Sequence, residues 1–137
     1  MASMNWIGVD EIIHAFDATA DDISDCSEEI CTKGAEIIRN EQVKTGEAMG
    51  VHRTGTTLNS LSVKRFVKTR DGGFCKVTFD GRNDDGNENS EVAFINEYGK
   101  TNQPARPFIA TANETSEAAT IKVAVDVLDR HLKKHNL

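Results

Sequence analysis

The sequence predicts an α+β fold in which a long N-terminal helix and a C-terminal helix pack on a small, mainly antiparallel sheet. Residues 8–44 and 107–134 show helical periodicity, and the region 61–98 between them contains strand-like runs. The order helix, hairpin, strand, helix is typical of α+β proteins. At 137 residues, the chain is expected to form one domain, 1–137.

The first predicted helix, residues 8–44, is amphipathic and contains no proline. Its apolar side chains recur at spacings of three and four: Val9, Ile12, Ile13, Phe16, Ala20, Ile23, Cys26, Ile30, Ile37 and Ile38. A continuous helix of this length would be about 54 Å long, which exceeds the width of a small domain. We therefore expect it either to break, near residues 19–22 or at Gly34, or to project and bury its apolar stripe on a neighbour.

A sheet is predicted over residues 61–98, after a polar, glycine-rich loop at 45–60. Strand-like runs at 61–69 and 74–80 flank Asp71-Gly72-Gly73, which is typical of a hairpin turn. The last part of this region, 91–98, fits either a third strand or a short helix.

The last predicted helix covers residues 107–134. Pro107 suits its first turn because proline lacks an amide hydrogen that would have no acceptor there. One apolar face is expected to consist of Ala112, Ile121, Ala124, Val125, Leu128 and Leu132.

The net charge of −6 is unevenly distributed. Residues 10–41 carry a net charge of −8 and residues 44–70 a net charge of +5. Without an overall basic surface, no sequence-specific nucleic acid binding is predicted. An acidic element of one copy facing a basic element of the next is one interpretation, and a solvated acidic helix face is the simpler one. No apolar run approaches the ~20 residues of a membrane span, so no membrane partner is predicted.

The sequence offers no positive support for catalysis, and neither an enzyme nor a cofactor is predicted. The loop at 81–92 lacks the first and last acids of an EF-hand. His131 and His135 could share a helix face, but further zinc ligands at suitable spacing are missing, so no metal site is predicted. Three unpatterned cysteines favour a reducing compartment.

Two stretches, "HRTGTTLNSLSVKR" and "FINEYGKTNQPARPFIATANE", together carry a family likeness. In order and spacing they resemble the tail-completion or head–tail joining family of long-tailed bacteriophages, the group similar to gene product ten of lambdoid phages. The matching motif positions are Thr54, Gly55, Leu58, Glu97, Tyr98, Gly99, Pro107 and Phe108.

The resemblance implies a non-catalytic structural protein of the virion, encoded by a phage or prophage. Such proteins act at the neck, and the expected partners are further copies in a ring, with six as the expected number, the head connector, and the tail-tube or tail-terminator protein. The implied localisation is the tail or neck of the virion, after assembly in the bacterial host cytoplasm.

The second motif also has a purely physical interpretation. Gly99 permits a turn at positive φ, and Pro107 sets the start of the helix. Phe108 is expected to anchor that helix to the sheet, and Glu97 and Arg106 could close the turn as an ion pair. The simpler alternative is that the segment only connects a strand to a helix.

A second functional hypothesis belongs to a different class of protein. The chain could be a non-catalytic intracellular binding module whose loops at 45–60 and 81–106 grip a peptide or protein.

Overall fold

The protein has an α+β fold, as the sequence predicts. A computed structural model describes residues 9–51, 55–70 and 72–135, with side chains from residue 22 onward. The described elements are helix α1 (Val9–Ala48), the short helix α2 (Thr56–Asn59), strands β1 (Leu61–Val63), β2 (Val67–Thr69), β3 (Gly72–Phe74) and β4 (Val77–Phe79), helix α3 (Asn89–Tyr98) and helix α4 (Phe108–Lys134).

Helix α1 is continuous over 40 residues, which corresponds to about 60 Å. The breaks expected near residues 19–22 and at Gly34 do not occur. Gly34 lies inside the helix, where an added Cβ would be 3.2 Å from Cγ2 of Thr120 in α4. The glycine therefore allows the two long helices to approach each other closely.

The end of α1 lies beyond the predicted position at residue 44. Gly50, with a φ of 83°, terminates the helix. The Val51 amide donates to the Gly46 carbonyl at 2.8 Å, and the Gly50 amide donates to the Glu47 carbonyl at 3.2 Å. This pair of hydrogen bonds is a glycine-dependent helix end, so the first part of the predicted loop is helical.

Helices α1 and α4 pack antiparallel. Gln42 donates to Asn113 near one end of the pair, and Asp22 contacts His135 near the other. Because Asp22 is level with the described end of α4, the backbone of residues 9–21 continues α1 past that end by about 20 Å.

The four strands form one irregular hairpin. Strand β1 pairs with β4 and β2 with β3, both antiparallel. Three residues, 64–66, lie opposite two, 75–76, so the first arm carries a bulge. Thr69 pairs with Gly72, which places Gly72 and Gly73 in β3 rather than in the turn.

The hairpin lies beside α1 within the same copy. Cys75 Sγ is 3.8 Å from Thr32 Oγ1, and Arg39 Nε donates to the Leu61 carbonyl at 3.2 Å. The basic hairpin therefore has the acidic helix as its neighbour within a single chain.

Two predicted boundaries differ from the structure. The sheet predicted over 61–98 ends at Phe79, because residues 89–98 form helix α3. The last helix begins at Phe108, with Pro107 as its N-cap residue.

The apolar face predicted for α4 is divided between two sides of the helix. Phe108, Ala112, Ser116 and Val127 are buried, whereas Ile121, Val125 and Leu128 are 44–57% exposed. The helical spacing identifies the apolar positions of α4. It does not show which side of the helix faces the core, and most of the predicted apolar positions lie on another side.

The surface of the chain is large for its mass. Its accessible area is 9648 Å², whereas a compact monomer of 15.0 kDa has roughly 7,000 Å². Within the described residues, no helix combines the length and apolar character needed to cross a bilayer.

Candidate functional site

The two motifs of the sequence meet in one small core. Leu58 and Phe108 are almost completely buried and belong to one cluster with Val51 and Ala93. The Phe108 ring also makes an edge contact with Phe79 of β4, with ring centroids 6.0 Å apart. Phe108 therefore anchors α4 to the sheet, as expected.

Close packing at this core requires a small residue in α1. A Cβ placed on Gly46 would lie 2.6 Å from Cδ2 of Leu58 and 3.2 Å from Cδ2 of Phe108. The last turn of α1 is therefore in direct contact with both motifs.

Gly99 ends α3 and turns the chain towards α4. Its φ is 78°, which confirms the expected positive value. A Cβ at this position would lie 2.8 Å from both the Gln103 carbonyl oxygen and the Ala105 amide nitrogen. Both atoms belong to the backbone, so the site accepts only glycine without rearrangement.

The Glu97 side chain holds the start of α4. Its Oε2 accepts a hydrogen bond from the Ile109 amide at 2.8 Å, and its Oε1 accepts one from the Ala110 amide at 3.1 Å. Glu97 is buried, with 7% of its surface exposed. A carboxylate at this position satisfies amides that lack partners in the helix and complements the positive end of the helix dipole.

The expected ion pair between Glu97 and Arg106 does not form. Both Glu97 oxygens are used at the helix start, and the Arg106 guanidinium lies elsewhere. Its Nη1 is 3.3 Å from the Gly50 carbonyl oxygen and 3.5 Å from Asn96 Oδ1. Arg106 therefore links the end of α1 to α3.

Arg106 also lines a cavity of about 280 Å³. The cavity lies between the segment after α1 and the loops on either side of α3. Other lining residues include Gly55, Asn87, Asn96 and Gln103.

Tyr98 lies outside the core and is 69% exposed. It packs against Phe94, which is 62% exposed, with ring centroids 4.7 Å apart. The pair forms an aromatic surface patch on α3.

Two of the remaining motif positions, Gly55 and Pro107, lie directly before helices. Gly55 has a φ of 75° and precedes α2, and Pro107 precedes α4. Thr54 lies outside the described residues.

Sequence reasoning misses a buried polar contact that supports the core. Asn89, at 2% exposure, donates to the Asp80 carbonyl at 2.8 Å, and Thr57 Oγ1 donates to Asn89 Oδ1 at 3.4 Å. These contacts join α2, α3 and the end of β4. An asparagine at a helix start is the only signal in the sequence, and it resembles an ordinary cap.

A charged cluster that the sequence does not predict joins α1, at Asp22 and Glu29, to the C-terminal end of α4. His131 lies between two carboxylates, with Nδ1 2.8 Å from Asp22 Oδ2 and Nε2 2.9 Å from Glu29 Oε2. His135 and Lys134 also contact Asp22. We call these five residues the histidine clasp.

The clasp changes the acidity of its members. The hydrogen bond from His131 is the main cause that lowers the pKa of Asp22 to about 2, and likewise that of Glu29. The Glu29 and Asp22 carboxylates in turn raise the pKa of His131 above its usual value. The contacts therefore favour a protonated, positively charged His131.

The clasp uses its side chains for hydrogen bonds between the helices. Both ring nitrogens of His131 face carboxylates. Within the described ranges, no group of three or more His, Cys, Asp or Glu residues is arranged to hold a metal ion.

Comparisons with known proteins returned no match. Neither a scan against protein-family models nor searches of curated proteins and of solved structures found a similar chain.

Proposed function

We propose that this protein is a structural subunit of a phage or prophage virion that acts at the neck, in head–tail joining or tail completion. The observation that carries this proposal is the meeting of the two motifs in one core. Leu58 of the first motif and Phe108 of the second pack together, while Glu97 and Gly99 fix the start of α4. The residues that resemble the tail-completion family thus act as one structural unit.

Exposed apolar side chains support a role in assembly. They occur on α1, the hairpin, α3 and α4: Ile23 on α1, Val67 and Phe74 on the hairpin, Phe94 and Tyr98 on α3, and Ile121, Val125 and Leu128 on α4. Large exposed apolar areas are typical of surfaces that bind other proteins. In the proposed ring, neighbouring copies, the head connector and the tail-tube or tail-terminator protein would cover these areas.

Deletion of the gene from its phage or prophage tests the proposal. We expect the mutant to produce heads and tails that remain unjoined in electron micrographs, with a large loss of infectious particles. The wild-type gene supplied in trans should restore joined particles. Tailed, infectious particles from the deletion strain would contradict the proposed function.

The cavity beside Arg106 favours a second candidate, a non-catalytic binding module. The residues that line this cavity come from both segments, 45–60 and 81–106, that the sequence suggests for binding a peptide or protein. Under this hypothesis, a purified non-virion partner should bind the wild-type protein. Asn87→Trp, which would obstruct the cavity, should abolish that binding, whereas Asn102→Trp, outside the lining, should not.

A further inference from the structure

The exposed apolar side chains of α4 follow a regular pattern. Ala118, Ile121, Val125, Leu128 and Leu132 recur at alternating spacings of three and four, which is the spacing of the inner positions of a coiled coil. The three central residues of this set are 44–57% exposed. We call these five residues the α4 stripe.

The stripe is separate from the contact between α4 and α1. The side of α4 that faces α1 contains Ser116, Val127 and His131, and the core does not use the stripe's central residues. Helix α4 therefore has one side buried against α1 and a second side that is apolar and exposed, which is typical of a helix packed between two partners.

Two charged residues border one edge of the stripe and differ in sign. Lys122 and Asp129 are both exposed and lie seven residues apart, at the same position of successive heptads. Asp129 also pairs with Lys133 on its own helix, at 2.8 Å and in an exposed setting. Such exposed pairs contribute little, so Asp129 is available to a second partner.

We propose that the α4 stripe docks against the same stripe of a second copy, with the two helices antiparallel. In the favoured register, Val125 lies opposite Leu128 of the second copy, and Ile121 lies opposite its Leu132. Every central layer of the contact is then apolar. The same register brings Lys122 beside Asp129 of the other copy, twice by symmetry.

Charge selects this register over its neighbours. A shift in one direction places Lys122 beside Lys122, and a shift in the other places Asp129 beside Asp129. A parallel pair would place Lys122 beside Glu117 of the second copy but Asp129 beside Ala124, so only the antiparallel pair gives Asp129 a partner of opposite charge. Like charges at these edge positions exclude wrong registers, as they do in coiled coils.

The pairing goes beyond the proposed function, because it concerns the free protein. A two-fold contact closes on itself and cannot extend into a ring through the same surface. The pair therefore describes the subunit before it enters a larger assembly.

Light scattering across a concentration series tests the pairing with charge-reversal variants. The wild-type protein should form a dimer. Lys122→Glu and Asp129→Lys should each weaken dimerisation by roughly tenfold or more, because each places like charges at both edges. An equimolar mixture of the two variants should recover the dimer, since both edges of the mixed pair are then complementary.

Asp126→Lys is the matched control, because it makes the same charge change on α4 away from the stripe and should leave the dimer unchanged. Circular dichroism should show that every variant keeps the wild-type helix content. A monomeric wild-type protein, or single variants that dimerise normally, would overturn the inference. Either result would leave the gene-deletion test of the proposed function unaffected.

Discussion

The Glu97 carboxylate accepts a hydrogen bond from the Ile109 amide at a distance of 2.8 Å, and so the end of α3 determines where α4 begins. Its second oxygen accepts the amide of Ala110. The polar side chain that starts α4 therefore comes from the end of α3. Between these two helices, Gly99 supplies the turn that brings the carboxylate to the amides.

Replacement of Glu97 by alanine should reduce stability. The change leaves two amides without their acceptor in a buried position, so we expect the free energy of unfolding to fall by about 1–3 kcal/mol. Urea denaturation followed by circular dichroism measures the change. Glu117→Ala, an exposed position on α4, is the control and should change the value by less than about 0.5 kcal/mol. Equal effects of the two substitutions would contradict the capping role of Glu97.

A comparison of two glycines tests the turn after α3. Gly99 and Gly86 have nearly equal φ angles, 78° and 81°, but a Cβ added at Gly99 would meet backbone atoms at 2.8 Å, whereas one added at Gly86 would meet nothing within 4 Å. Gly86→Ala should therefore carry only the cost of the left-handed backbone, about 1 kcal/mol. Gly99→Ala adds a collision with backbone and should destabilise the protein clearly more.

Thermal unfolding of the two glycine variants side by side makes the comparison. If Gly99→Ala melts at the same temperature as Gly86→Ala, the contact with Gln103 and Ala105 does not constrain the turn.

Part of this arrangement can be predicted from the sequence, and part cannot. The helix start directly after Pro107 and the turn at Gly99 follow from the backbone preferences of proline and glycine, which act locally. The role of Glu97 depends on which backbone amides the fold brings next to its carboxylate, and the sequence does not show this. From the sequence alone, the presence of Glu97 and Arg106 in one segment favours an ion pair between them instead. Likewise, the sequence shows the helical spacing of His131 and His135, but their partner Asp22 is more than 100 residues away.

The two sides of α4 illustrate the same limit. The sequence places Ile121, Val125 and Leu128 at helical spacing, and that spacing predicts one apolar face. The structure buries Ala112 of that face together with Ser116, whereas Ile121, Val125 and Leu128 are exposed. Helix α1 approaches α4 closely at Gly34, where an added Cβ would lie 3.2 Å from Thr120 Cγ2. Close contact between two helices depends on the surface shapes of both, and the apolar spacing within one helix gives no information about the other.

A pair of phenylalanines tests which aromatic residues hold the fold. Phe108 is completely buried, so Phe108→Ala should lower the free energy of unfolding by about 3–5 kcal/mol. Phe94 is 62% exposed, and Phe94→Ala should change it by less than about 1 kcal/mol. Chemical denaturation provides both values. If Phe108→Ala does not fold, Phe108→Leu should still be less stable than Phe94→Leu. The reverse order would contradict the position of the core.

The histidine clasp predicts how stability depends on pH. The pKa of His131 is raised in the folded protein, so its contribution is complete below its usual value of 6.5 and is lost as the pH rises through the folded pKa. The pKa values of Asp22 and Glu29 are lowered to about 2 from 3.8 and 4.5. Their contribution is present above those usual values and is lost as the pH falls towards 2. The clasp should therefore stabilise the protein most between about pH 4.5 and 6.5.

His131→Gln removes the titrating group while keeping a side chain that forms hydrogen bonds. We expect its largest loss of melting temperature, relative to wild type, near about pH 5–6, and a smaller loss in alkaline buffer, where the wild-type histidine is neutral as well. Lys133→Gln, at the same end of α4 but in an exposed pair with Asp129, is the control and should shift the melting temperature equally at both pH values. If the loss of melting temperature on His131→Gln does not vary with pH, the charge of His131 does not contribute to stability. In that case His131 stabilises the protein through packing and uncharged hydrogen bonds alone.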